Sequence, residues 1–89
     1  MKRVRILVEG RLQGINFRYY TQQEAHKLGL TGFVRNLSDG RIEIDAQGDE
    51  ESINKLLTWC QEGPQSDHLK SILFRYDEPA EHISEFVVR

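Results

Sequence analysis

Val4, Ile6 and Val8 alternate with Arg3, Arg5 and Glu9, the period-two pattern of a strand with one buried face, and the run ends at Gly10. From Phe17 to Leu28 the period changes. Thr21, Ala25 and Leu28 follow at spacings of four and three, good helix formers fill the gaps, and Gly29 supplies a stop. Glu24 falls inside this stripe, so the amphipathic signal is moderate. Residues 30–37 and 41–47 read as two strands joined by Ser38-Asp39-Gly40, because Asp-Gly between β-patterned runs favours a tight hairpin turn. In the second of these strands Ile42, Ile44 and Ala46 point inward, while Arg41, Glu43, Asp45 and Gln47 point out.

After Gly48, Asp49 is placed as an N-cap and Glu50 and Glu51 suit the positive end of a helix dipole. Ile53, Leu56, Leu57 and Cys60 then repeat at i, i+3, i+4 and i+7, giving a second helix that ends near Gly63-Pro64. A fourth strand spans about 68–76 with Ile72, Phe74 and Tyr76 on one face, and a short last strand holds Phe86 and Val88 beyond Pro79. The order β-α-β-β-α-β with a tail strand describes a ferredoxin-like α+β sandwich: an antiparallel sheet with both helices on one face. That arrangement hosts many activities and does not choose among them.

With 89 residues and no linker, repeat or composition shift, the chain is expected to form a single domain over 1–89, with room for one core and one site. Twelve Lys and Arg against fourteen Asp and Glu leave a formal charge of −2, so no global field attracts nucleic acid or an anionic membrane. An anion site must be local. One cysteine, Cys60, cannot close an internal disulfide, and with no basic-then-apolar leader the reading is cytoplasmic. His26, His68 and His82 share no metal-ligand spacing; His26 is placed on the exposed side of helix one and Cys60 in the core. A monomer is the default.

Chemistry concentrates in two segments. Gly10-Arg11-Leu12-Gln13-Gly14-Ile15-Asn16-Phe17-Arg18 runs from the first strand straight into a helix N-terminus. Glycines allow amides to curl into an anion nest, and the helix start adds unsatisfied donors. Arg18 adds a planar guanidinium suited to two-pronged bonding with phosphate oxygens. The same spacing also serves a plain βα turn with a solvated arginine. The second segment, Gly32-Phe33-Val34-Arg35-Asn36, ends on an Asn that either starts the hairpin turn or holds a ligand beside the loop. Arg11 and Arg35 read as surface charges.

Together these residues closely resemble the acylphosphatase family, whose Gly-x-Val-Gln-Gly-Val-x-Phe-Arg loop matches Gly10 to Arg18. Its Gly-Trp-Val-Arg-Asn motif matches Gly32 to Asn36, and Asp-Gly-x-Val-Glu matches Asp39 to Glu43. Leu28-Gly29-Leu30, Gly48 and Gly63-Pro64 extend the likeness over nearly the whole chain. The resemblance implies a small enzyme that hydrolyses the carboxyl–phosphate bond of acyl phosphates with no metal or organic cofactor, and with inorganic phosphate as product. It implies that Arg18 and the loop amides of Leu12, Gln13, Gly14, Ile15, Asn16, Phe17 and Arg18 bind the phosphoryl group. It further implies that Asn36 positions the attacking water.

An acyl phosphate releases a carboxylate whose parent acid has a pKa of about 4. Such a leaving group needs no general acid, which agrees with the lack of a His or carboxylate in the first two motifs. The chain departs from the family at Asn16, where Gly or an aromatic residue is usual, and at Phe33, which replaces Trp and is expected to pack between hairpin and helix. Asn tolerates left-handed geometry better than other non-Gly residues, so the loop can still curl. A ferredoxin-like RNA-binding module is the alternative from another class. The chain lacks the full RNP pattern and the positive charge that such a module needs. A non-catalytic phosphate sensor using the same cradle is the other alternative.

Overall fold

The computed structural model describes every residue except Gln13 and His82. The elements run β1 (Lys2–Gly10), α1 (Phe17–Lys27), β2 (Thr31–Asn36), β3 (Ile42–Gly48), α2 (Glu50–Glu62), a 3₁₀ turn (Ser66–His68), β4 (Leu69–Asp77) and β5 (Phe86–Val88). The strands form one sheet in the order β4-β1-β3-β2-β5, antiparallel throughout except for the parallel β2–β5 pair. This is the expected ferredoxin-like sandwich, with β5 added beside β2. Among the described residues no helix is long and apolar enough to cross a membrane.

Strand parity builds the core. Val4, Ile6 and Val8 of β1 lie opposite Ala46, Ile44 and Ile42 of β3 and are fully buried. Both helices cover this face, α2 through Ile53, Leu56, Leu57 and Cys60, and α1 through Phe17, Thr21 and Ala25. Thr21 meets its own polar requirement there by donating from Oγ1 to the Phe17 carbonyl at 2.8 Å. Glu24 sits at the half-exposed edge of the α1 stripe, 3.5 Å from Lys27. His26 is exposed as expected, and its Nε2 lies 3.1 Å from the Phe86 carbonyl.

The other face of the sheet departs from the sequence reading. Glu43, Asp45 and Gln47 do point away from the helices, yet they are 7%, 3% and 3% exposed. Long arginine side chains from the flanking strands cover them. Arg3 holds Asp45 with two bonds of 2.9 and 2.7 Å, while Arg5 and Arg35 reach Glu43 at 3.1 and 2.7 Å. Gln47 donates to and accepts from the Ala80 backbone, both at 2.8 Å, which draws the segment after β4 under the sheet. Phe33 is also on this face, because Gly32 and Val34 take the helix-facing positions of β2. Its ring lies under the Arg89 guanidinium at 4.1 Å rather than between hairpin and helix.

Gly32 marks the closest backbone approach in the sheet. Its φ is 137°, and a Cβ there would come within 1.7 Å of the Asp45 carbonyl oxygen. Gly32→Ala is therefore expected to lower stability by roughly 2–4 kcal/mol, read by chemical denaturation. Burial pushes the Cys60 thiol up to about 12. It is expected to react with a disulfide reagent at pH 8 only at the rate of unfolding, and at once in denaturant.

Candidate active site

The loop from β1 to α1 is anchored at both ends and open between. Leu12 and Phe17 are each 3% exposed, and Ile15 packs against the core from a half-buried position. The Phe17 ring stacks on Trp59 of α2 with centroids 5.7 Å apart. Gly10 has no space for a side chain against the His68 carbonyl, which accepts the Arg11 N–H at 2.8 Å. Between the anchors, among the described residues, the backbone is left-handed at Gly14 (φ 83°) and Asn16 (φ 59°). Asn16 is the residue before the helix, and its carbonyl accepts the first helical bond, from Tyr20 N–H at 3.0 Å. The amides of Phe17, Arg18 and Tyr19 thus lie in the first turn, where a helix offers them no internal acceptor. Asn16 carries out this turn without glycine, as the left-handed tolerance of its side chain allows.

Asn36 arrives from the opposite side. It is the last residue of β2, paired with Ile42, and the hairpin turn beyond it closes without its side chain. Leu37 N–H donates to Arg41 at 2.7 Å, Gly40 N–H donates to Leu37 at 3.1 Å, and the Asp39 carboxylate accepts from Arg41 N–H and Nε at 3.0 and 2.9 Å. Those bonds from Arg41 hold the Asp39 carboxyl below its ordinary pKa. The turn is accounted for, and Asn36 faces a cleft of about 200 Å³ together with Leu12, Gly14, Asn16, Phe17, Arg18, Tyr19, Ile42 and Val88.

The cleft gathers Arg18, Asn36 and most of the expected loop in one place. The Ile15 side chain packs against the core, which leaves the call on its backbone amide untouched, and Gln13 lies outside the described residues. Among the described lining residues Arg18 is the one charged side chain, so the potential in the cleft is set by a cation and a helix N-terminus. Arg18 is half-buried, and its Nη1 donates to the Arg89 carbonyl oxygen at 2.7 Å. Arg89 is in turn held by its N–H to the Val34 carbonyl at 2.9 Å and by its stacking on Phe33. One edge of the Arg18 fork is fixed by the end of the chain beside β2, and the other donors remain for a ligand.

Against that geometry stand the comparisons with known proteins. The Acylphosphatase family model matches residues 4–88. This chain belongs to the acylphosphatase family. An acylphosphatase of Methylococcus capsulatus is 46% identical over 88 residues, covering 99% of this chain and 96% of that protein. The crystal structure of the Bacillus subtilis acylphosphatase superposes with a TM-score of 0.91 at 37% identity, over 100% of this chain and 99% of that one. The Coxiella burnetii acylphosphatase structure follows at 0.89 and 34%, over 99% and 92% of the two chains. Family membership makes the chain a hydrolytic enzyme.

Sequence reasoning missed Tyr19, Ile42 and Val88 as parts of the cleft, and Arg89 as the residue that holds Arg18 beside it. Only the parallel placement of β5 against β2 brings the last two there, and no local pattern encodes it. The Asn16 turn yields a test. Asn16→Gly is expected to hold stability within about 1 kcal/mol of the parent, whereas Asn16→Val loses roughly 1–2 kcal/mol, both by denaturant titration.

Proposed function

We propose that the cleft hydrolyses acyl phosphates to a carboxylate and inorganic phosphate by in-line attack of a water on the phosphoryl group. Arg18 and the amides of the Leu12–Arg18 loop hold the equatorial oxygens, and Asn36 orients the water. The observation that supports this most is the convergence of Arg18 and Asn36, from α1 and the end of β2, on one small cleft whose described charge is entirely cationic.

The chemistry suits that inventory. Phosphoryl transfer to water asks mainly for alignment of nucleophile and leaving group and for stabilisation of charge on the transferred oxygens. A guanidinium and a curled run of amides supply both. The expelled carboxylate is stable as it leaves, so no residue has to protonate it. Asn36 cannot ionise near neutrality; its amide oxygen accepts a hydrogen bond from the water and aims a lone pair at phosphorus. The proton then passes to a phosphoryl oxygen of the substrate, which keeps the balance within the reacting group. An Asp or Glu side chain in the cleft would oppose a dianionic substrate, and none lines it among the described residues.

The purified protein is expected to hydrolyse acetyl phosphate and benzoyl phosphate with chelator present and no metal added. Turnover no faster than solvent background by folded protein would reject the reading. Arg18→Ala is expected to lower kcat/KM by roughly 10²–10³-fold and to weaken inhibition by inorganic phosphate in parallel. Asn36→Ala is expected to lower kcat by about 10²-fold or more while phosphate still inhibits at its parental concentration. Equal effects of the two variants on phosphate binding would place the water elsewhere.

A further inference from the structure

Asn16 stands at the N-cap of α1, where an asparagine ordinarily accepts a hydrogen bond from an amide of the first turn. Here it does not. A φ of 59° and a ψ of 34° replace the extended backbone that such a cap uses, and the carboxamide makes no capping bond. The first-turn amides are therefore open to a ligand, and so is the side chain of an exposed residue that lines the cleft. The other polar side chains of the cleft already have a task. Arg18 faces the phosphoryl group, Asn36 the water, and the Tyr19 hydroxyl accepts from Gln23 Nε2 at 2.9 Å. An acyl phosphate whose phosphoryl oxygens are held by Arg18 and the loop amides has one polar atom without a partner, its carbonyl oxygen.

We propose that Asn16 is a further catalytic residue whose Nδ2–H donates to the acyl carbonyl oxygen of the substrate, a role that rests on the acyl phosphate reading of the cleft. In-line displacement supplies the geometry. Asn36 stands at the end of β2 and Asn16 across the cleft in the loop before α1, so a water aimed from Asn36 sends the leaving group toward the exposed rim of that loop. As the water oxygen bonds to phosphorus, the bridging P–O bond breaks and its electron pair stays with the acyl group, spread over both oxygens of the departing carboxylate. The water's proton goes to a phosphoryl oxygen. The carbonyl oxygen thus gains negative charge on the way to the transition state, and a donor already facing it binds more strongly there than in the ground state. A carboxamide does this without giving up its proton, which suits a leaving group that needs no general acid. It also selects the substrate, because an alkyl phosphate has no oxygen at that place. Glycine would serve the left-handed turn equally well, so the backbone does not account for the side chain.

Asn16→Gly keeps the turn and removes the carboxamide. It is expected to lower kcat for acetyl phosphate about tenfold at nearly parental KM, while inorganic phosphate, which has no carbonyl, inhibits at its parental concentration. Two unreactive analogues separate the ends of the substrate. Acetonylphosphonate, which carries the carbonyl, should bind Asn16→Gly about threefold more weakly than the parent, whereas propylphosphonate, the same skeleton without it, should bind both alike, read as inhibition constants. Asn16→Asp retains the shape and left-handed tolerance of the parent but presents a carboxylate, and should lose about 10²-fold in kcat/KM with parental thermal unfolding. Parental rates in either variant overturn the proposal. Equal weakening of phosphate and both phosphonates in Asn16→Gly also overturns it, by placing the carboxamide at the phosphoryl group. A parent without turnover of acetyl phosphate rejects the reading of the cleft and this role with it; a parent matched in turnover by Asn16→Gly rejects this role alone.

Discussion

Glu43 is buried on the sheet face that carries no helix, with Arg5 of β1 on one side of it and Arg35 of β2 on the other. A carboxylate in that position is costly unless it is paired, and pairing it from both neighbours ties three strands into one register. Asp45 repeats the device two residues on, through its two-bond contact with Arg3. Because side chains alternate, a slip by one residue would send these carboxylates into the hydrophobic face and Ile42 and Ile44 out of it. The same register sets Asn36 opposite Ile42, and so at the mouth of the cleft. The placement of Asn36, the proposed water-orienting residue, is thus a consequence of how the central strand satisfies its charges.

The other half of the cleft depends on packing. Leu12 and Phe17 are buried on either side of Gly14 and Asn16, so the intervening backbone has a fixed span to cross, and both of those residues are left-handed in doing so. Phe17 is clamped by Trp59, which couples the start of α1 to α2. An arginine one residue beyond such an anchor has little freedom in its Cα position. Its far end is steadied by the Arg89 carbonyl. Positive potential is therefore built from a helix terminus and one side chain, in a protein whose net charge is −2. Size is no handicap for the proposed chemistry, which needs neither a general acid nor a large pocket.

Covering is uneven in a domain this small. Two helices lie over a five-stranded sheet, α2 on the buried triplets of β1 and β3 and α1 on β2 and β5. What lies beyond their reach is dealt with differently at each side: arginines and the Gln47–Ala80 clasp close the lower face, β5 and Arg89 close the β2 edge, and β4 is left with aromatic groups in solvent. The outer strand belongs to the same economy of elements that gives the site its short, well-anchored loop.

Much of this was legible in the residues. Period-two and helical spacings located both α-helices and all five strands to within a residue or two, since each follows from which side chains must leave water, but not the 3₁₀ turn at Ser66–His68. Phe17–Lys27 and Glu50–Glu62 stand close to their expected limits, and the left-handed Asn16 follows from the conformational tolerance of that side chain. The motif residues Arg18 and Asn36 could be named as partners without coordinates. Alternation alone, however, cannot say whether an outward residue meets water. Glu43, Asp45 and Gln47 carry the polar pattern of an exposed face, and only arginines from strands distant in sequence bury them. Phe33 and the Ile72–Tyr76 stripe were similarly fixed in side but not in surroundings, because the extent of a covering helix is a property of packing. The local sequence determined the elements, the turn and the reactive residue types. Tertiary structure decided which strands became neighbours, which charges were neutralised, and that the carbonyl of Arg89 would meet Arg18, since those distances depend on chain crossovers that no short-range pattern records.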